Sequence, residues 1–369
     1  MDAHALTQEA VELLCQLIST PSTSRNETVA ADVLADFIDR CGLPVTRIGN
    51  NIMVQEELDA NKPTLLLNAH IDTVKPVSSW TRDPYTPTIE GDRLYGLGSN
   101  DCGGGLVSLL QVYRYLRGKR QEARGKRQEA RGYNLVYLAS CEEEVSGANG
   151  ISLALPLLPQ IDVAIVGEPT GMQPAIAEKG LMVIDAVAHG KSGHAAREEG
   201  VNAIYEALDD ILFIRDYKFR KTSRLLGPSK MTVTIVNSGS QHNVIPDECR
   251  FTIDVRTNEY YQNEYLFAFL QKHLKSELKA RSFRLQSSHI PVGHPLVQRC
   301  IEMGMNPFGS PTLSDQALMP FPSFKLGPGQ SARSHSADEF ICISEIEQAI
   351  ETYVRLLSDY FIFLPPNWH

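Results

Sequence analysis

A mixed, mostly parallel sheet sandwiched by helices, interrupted by an inserted ferredoxin-like α+β domain, is the α/β fold class that the sequence predicts. Three observations predict it. Short unbroken apolar runs alternate with helical patterns through the first half. A stretch of alternating apolar and polar residues begins near Glu178. An apolar strand and a long amphipathic helix then return before the C-terminus.

Leu6–Ile18 and Thr28–Arg40 space apolar residues three and four apart, as helices with one buried face do. Residues 63–69 (PTLLLNA), 134–140 (NLVYLAS) and 161–166 (IDVAIV) are continuous apolar runs too short for buried helices. A strand covered on both faces has no need to alternate, so these read as buried parallel strands, with Leu106–Leu116 as a helix between two of them. Past Glu178, Leu181–His189 alternates as a half-buried strand does. Val201–Arg215 reads as a helix, Met231–Val236 and Arg250–Arg256 as strands, Glu264–Leu278 as a helix and Phe283–Ser287 as a last strand. That βαββαβ order defines the insertion. Ser323–Leu326 then rejoins the first sheet and Ile343–Tyr360 closes it with a helix. The expected domains are a main domain in two segments, 1–177 and 288–369, around an insertion at 178–287.

A length of 369 residues suits two domains. Lys and Arg number 35 against 44 Asp and Glu, a net charge of −9, which argues against non-specific nucleic-acid binding. Seven scattered cysteines without a CxxC pair read as reduced thiols of a cytoplasmic protein. The N-terminus shows no signal-peptide pattern, and no apolar stretch approaches the roughly 20 residues that span a bilayer. The expectation is a soluble, cytoplasmic protein with no membrane partner. A perfect tandem repeat, Gly118–Arg124 copied as Gly125–Arg131, reads as a duplicated, solvated helix extension or loop.

Metal-type side chains fall at strand ends. His70 and Asp72 follow the first buried strand, and Asp101 stands in the glycine-rich Gly96–Gly105 before a helix. Glu142, Glu143 and Glu144 follow the second strand, Glu168 the third, and His335 a later loop. The carboxyl edge of an open α/β sheet is where ligands bind. Each group has a plain alternative: a hydrogen-bonded His–Asp pair, a solvated acidic loop, a phosphate cradle. Together they would crowd buried carboxylates on one edge without a cation, which is costly. Mixed His and carboxylate ligands suit zinc.

At this point the chain resembles the zinc-dependent deacylase and exopeptidase family of acetylornithine deacetylase, succinyl-diaminopimelate desuccinylase and aminoacylase, with acetylornithine deacetylase the nearest in kind. The resemblance spans nearly the whole chain. It rests on His70-Ile71-Asp72, Gly98 to Asp101, Glu143-Glu144-Val145, Gly167-Glu168-Pro169-Thr170 and Ser192-Gly193-His194-Ala195-Ala196. Asn243-Val244-Ile245-Pro246-Asp247, Gly327-Pro328-Gly329 and His335 to Glu339 complete it. It implies a zinc-exopeptidase-like main domain and two zinc ions, with cobalt as a substitute. Asp101 would bridge the ions, His70 and Glu168 would complete one site, and Glu144 and His335 the other. It implies Glu143 as general base and His194 as the group facing the carbonyl oxygen. Asp72 would hold His70 in its metal-binding tautomer, and a period of two along a strand puts both on one face. Asn243, Arg256 and Gly327 would meet the substrate, a small N-acyl amino acid, and the insertion would pair two chains as a homodimer. The chain departs from the common pattern in lacking a Lys after Asp101 and in reading Gly96-Leu97-Gly98.

The resemblance favours N2-acetyl-L-ornithine deacetylation in arginine biosynthesis. N-acetylcitrulline, N-succinyl-ornithine or -citrulline, succinyl-diaminopimelate and unblocked dipeptides (dipeptidase or aminopeptidase action) are the alternatives. Asp315, Arg197 and Arg333 are further candidates for selecting among them. A catalytically silent metal-binding protein is the non-enzyme reading, and nucleotide binding at the glycine-rich loop is a third.

Overall fold

The computed structural model describes residues 3–56, 59–125, 132–197 and 199–358. It divides into two compact units. One comprises residues 1–176, 290–308 and 314–369, the other Ala177–His289 with Gly309–Leu313.

The first unit is built on a mixed sheet ordered Val45–Ile48, Asn51–Gln55, Asn134–Ser140, Thr64–His70, Val163–Val166, Ser323–Lys325 and then the strand beginning at Ala175. The four strands from Asn134–Ser140 to Ser323–Lys325 run parallel and their outer neighbours antiparallel. Helix Gly104–Gly125 makes the crossover between Thr64–His70 and Asn134–Ser140. The strands are apolar throughout because both faces are covered. Leu65, Leu67 and Tyr137 face a core shared with the helices Ala3–Ile18, Gly104–Gly125 and Ile343–Ser358, while Leu66, Val136 and Leu138 face a second core with Ile151 and Met319. Adjacent residues of one strand thus serve opposite layers.

In the second unit the sheet order is Lys230–Ser238, Glu248–Thr257, Gly180–His189, Glu277–Ala280, antiparallel throughout. Helices Ala203–Asp216 and Asn263–His273 cover one face through Met182, Ile184, Phe251, Ile253 and Leu270. This is the ferredoxin-like arrangement. Its fourth strand corrects the sequence reading. Phe283–Ser287 is not a strand, because the carbonyls of Phe283 and Leu285 accept the side-chain amide of buried Asn263. The strand lies earlier, at Glu277–Ala280, and the helix ends correspondingly sooner, at His273, where Leu274 turns extended. Gly309–Leu313, placed in the main domain by the sequence reading, belongs to the second unit.

The first copy of the tandem repeat continues the helix Gly104–Gly125. Residues 126–131 of the second copy, and the expected helix end at residues 359–360, lie outside the described residues. Among the described residues no helix is long and apolar enough to cross a membrane.

Candidate metal centre

Strand ends of the first unit position the cluster. His70 is the last residue of its strand and pairs in register with Ser140, so the segment after Ser140 emerges beside it. That segment tightens into the turn Glu143–Val145, flanked by Glu142 and Ser146 in left-handed conformations (φ 53° and 45°). Glu168 follows its strand by two residues. Asp101 lies in the irregular turn Ser99–Gly103 that starts helix Gly104–Gly125. Helix and sheet approach so closely here that a Cβ on Gly105 would stand 1.7 Å from the Gly167 carbonyl oxygen, which explains the glycine run. His335, at φ 57°, comes from the loop after Ser323–Lys325.

Asp101 presents one carboxylate oxygen to each histidine. Oδ1 is 3.2 Å from His70 Nε2 and Oδ2 is 3.6 Å from His335 Nε2. Each imidazole nitrogen then has a second carboxylate of its own. His70 Nε2 is 3.7 Å from Glu168 Oε1, and His335 Nε2 is 2.9 Å from Glu144 Oε2. Two ligand atoms on one tetrahedral zinc, each about 2.1 Å from it, stand about 3.4 Å apart. The four observed separations bracket that figure. Ligand atoms of Asp101, Glu144 and His335 lie within 4.8 Å of one another.

The protonation chemistry follows from crowding. Burial and then the Asp101 charge push Glu168 up to about 8, with His70 and Lys325 pulling the other way. Burial, then Glu168, Asp315 and Glu144, hold Glu143 well above the ordinary carboxylate range against the pull of His70. The Glu144 hydrogen bond raises His335 to about 9. Burial opposes charge on Asp101, yet the His70 bond and the His335 charge keep it below its usual value. Carboxylates this close repel one another unless a cation or protons lie among them.

Cys102 also has its sulfur near His70 and Glu168. It is committed elsewhere: Sγ accepts the His70 amide at 3.1 Å, and burial lifts the thiol to about 12. A neutral thiol is a poor ligand.

Asp72 stands next to His70, but its role differs from the expected one. The acceptor for His70 Nδ1–H is the Asp72 main-chain carbonyl at 2.8 Å, while the carboxylate is 3.6 Å away. A carbonyl only accepts, so Nδ1 carries the proton and Nε2 faces Asp101. The Asp72 carboxylate instead accepts the amides of Glu143 (3.0 Å) and Glu144 (3.2 Å) and the Ser24 hydroxyl (2.7 Å). It holds the acidic turn.

Glu339, the last residue of the His335 to Glu339 marker, holds the glycine-rich turn. Its buried carboxylate accepts the amides of Gly98 (3.1 Å), Asn100 (2.8 Å) and Asp101 (2.9 Å). These amides would have cradled a phosphate, so the nucleotide reading of the glycine-rich loop falls. Buried Glu27 likewise accepts the amides of Arg25 and Glu142. Glu339 was flagged only by its place in a motif and Glu27 not at all, since bonds to main chain leave no pattern of residue types.

Gly327 packs on the Glu168 segment, where a Cβ would stand 2.5 Å from the Glu168 carbonyl oxygen. Of the selectivity candidates, Arg333 is bound bidentately by Glu345 (2.7 and 3.2 Å) and stacks on Phe340. Asp315 is buried and accepts from Ser140. His194, Asn243, Arg256 and exposed Arg197 lie in the second unit. His194 is exposed and its Nδ1 accepts the Ala196 amide, while the Asn243 carbonyl accepts the Ala195 amide. Arg256 is forked onto Asp254 (2.9 and 3.1 Å).

Comparison with known proteins agrees with this architecture. A family profile described as peptidase dimerisation domain (M20) matches residues 176–282, and one described as peptidase family M28 matches residues 51–152. The chain is 28% identical to an acetylornithine deacetylase of Proteus mirabilis, covering 95% of this chain and 96% of that one. Among solved structures, an M20 family metallo-carboxypeptidase from Sulfolobus solfataricus superposes with a TM-score of 0.73 at 19% identity, covering 98% and 100% of the two chains. A Bacillus subtilis protein described as a dinuclear metal binding peptidase from the M20 family gives 0.70 at 16% identity, covering 97% and 98%. Matched segments, full-length similarity and shared fold together make the chain similar to the M20 peptidases and to the acetylornithine deacetylases among its relatives, and these homologues support a hydrolase acting on amide bonds.

Proposed function

We propose that this protein is a two-metal amidohydrolase that removes the N-acyl group from a small N-acylated amino acid, with N2-acetyl-L-ornithine as the first substrate to test. The observation that carries the reading is the position of Asp101 between His70 and His335, each with its own second carboxylate. The donor set fits zinc, with cobalt as a substitute, because imidazole and carboxylate converge without a thiolate. A bound pair of such cations supplies Lewis acidity and makes water acidic near neutrality.

The remaining chemistry belongs to the chain. Glu143, held by its own amide on Asp72, takes a proton from the attacking water. As the amide C–N bond breaks, Glu143 returns that proton to the departing amine. His194 is assigned to the carbonyl oxygen, where negative charge develops. Arg256 is assigned to the substrate carboxylate, which suits its planar fork. Full-length similarity to the Proteus acetylornithine deacetylase supports an acyl amino acid. The peptidase descriptions of the structural neighbours keep dipeptide hydrolysis as a second reading.

A homodimer through the second unit is part of the proposal. Supporting it are the dimerisation-domain match and an apolar exposed surface. Strand Lys230–Ser238 lies at the sheet edge with Ile235 and Val236 exposed, and helix Ala203–Asp216 exposes Ile204, Tyr205 and Leu208.

The test is a panel of N-acyl amino acids and unblocked dipeptides assayed with added zinc or cobalt. Metal-dependent release of acetate from N-acetylornithine, with dipeptides untouched, supports the deacylase. The reverse pattern makes the protein a dipeptidase, and inactivity on both leaves a silent metal-binding protein.

A further inference from the structure

His335 is the least buried member of the metal cluster. Its side chain is 53% exposed, against 12% or less for His70, Asp101, Glu144 and Glu168. It stands on a loop and not at a strand end, so packing does little to fix it. Its backbone is left-handed (φ 57°), a conformation that residues with a Cβ rarely adopt. Asp338, three residues on, is left-handed as well (φ 53°). Such backbones persist only where their surroundings over-determine them.

The loop is tied on both sides of the histidine. Before it, Arg333 is forked onto Glu345, and the Arg333 carbonyl accepts the Ser336 hydroxyl at 2.7 Å. After it, three donors from one distant segment of the same unit converge on the Asp338 carboxylate. Oδ1 accepts the amides of Thr81 (3.0 Å) and Arg82 (3.2 Å), and Oδ2 accepts the Thr81 hydroxyl (2.6 Å). That segment is itself anchored. The Arg82 guanidinium forks onto Glu90 (2.8 and 2.9 Å) and lies over the Tyr95 ring at 4.1 Å. Glu90 and Tyr95 belong to a small antiparallel sheet of Thr88–Glu90, Arg93–Tyr95 and Phe340–Cys342, in which Tyr95 pairs with Phe340. The contacts therefore close a ring, from Asp338 through Arg82 and Tyr95 to Phe340 and back along the chain. Glu339 holds the Asp101 turn instead, so two neighbouring acids serve two different ligands.

We propose that Asp338 is a positioning residue for His335. By gripping Thr81 and Arg82 it holds the loop in the conformation that aims this imidazole at Asp101 and Glu144, and so sets the affinity of the cation held there. The inference rests on the two-cation reading above and adds a residue that acts through a ligand, not as one.

The experiment titrates cobalt into the metal-free full-length protein, followed by calorimetry and visible absorption. The wild type should bind two cations. Asp338→Ala should weaken one of them about tenfold to a hundredfold, the scale of a lost partner behind a metal ligand, and leave the other unchanged. Thr81→Val, which loses the hydroxyl bond alone, should move the same constant by about threefold. His335→Ala should bind a single cation. Adding Asp338→Ala to it should leave that cation's affinity where it was, because the imidazole through which Asp338 acts is already gone. A loss of general support would weaken this cation too. Weakening of both cations alike in Asp338→Ala, or of the remaining cation in the double variant, overturns the proposal. So do unmoved constants in Asp338→Ala and Thr81→Val. Should Asp338→Ala not fold, Thr81→Val, alone and combined with His335→Ala, carries the same comparison. Fewer than two cations in the wild type would mean that the two-cation reading itself fails, and the proposal with it.

Discussion

The main-chain carbonyl of Asp72 accepts the Nδ1–H of His70 at 2.8 Å, while the Asp72 carboxylate turns to the amides of Glu143 and Glu144. One residue therefore sets the histidine tautomer with its backbone and the acidic turn with its side chain. The two tasks separate by mutation. Asp72→Ala keeps the carbonyl but frees the turn. It should retain the cation at His70 while lowering kcat roughly tenfold to a hundredfold. Loss of three hydrogen bonds to a charged carboxylate in a buried setting should also cost about 2–4 kcal/mol of stability. Metal analysis beside kinetics and denaturant unfolding checks this; a variant that loses the metal first contradicts the backbone assignment.

Glu143→Ala should leave both cations bound and reduce turnover by about three decades, the scale of a lost general base. Elemental analysis and steady-state rates on the same preparation decide it. Retained turnover would remove Glu143 from the mechanism.

Metal stoichiometry should respond unequally to the ligands. His335→Ala should bind one cation per chain, because His70, Asp101 and Glu168 remain. Asp101→Ala should bind none tightly, since that carboxylate serves both imidazoles. Inductively coupled plasma analysis after dialysis gives the counts.

Metal uptake should be coupled to proton release. In the metal-free site at pH 7, Glu168 at about 8 and His335 at about 9 both carry protons. A cation and a proton compete for the same lone pairs, so acid weakens metal binding. His70 is held well above its ordinary value as well, so affinity should rise steeply from pH 6 upward, by about one decade per pH unit for each proton displaced. Chelator competition at several pH values measures the slope. A flat profile would mean that the cation does not displace these protons.

Much of this centre was legible in the sequence because its members follow recognisable elements. His70, Glu144 and Glu168 come after apolar runs whose strand character is forced by length and composition, and a parallel sheet brings such ends to one edge. Asp101 was marked by its glycines, which Gly105 needs for its approach to Gly167. Glu339, Glu27 and the division of labour within Asp72 were not legible. Their partners are main-chain amides and hydroxyls, which every sequence offers everywhere. The displaced strand has a similar cause: Phe283–Ser287 alternates well, but Asn263 takes the carbonyls a strand would need.

The most direct test is anomalous diffraction at the zinc edge from crystals of the zinc-loaded protein. The account predicts two peaks per chain, one among His70, Asp101 and Glu168 and the other among Asp101, Glu144 and His335. A single peak away from Asp101, or zinc held by Cys102 in place of it, would contradict the account.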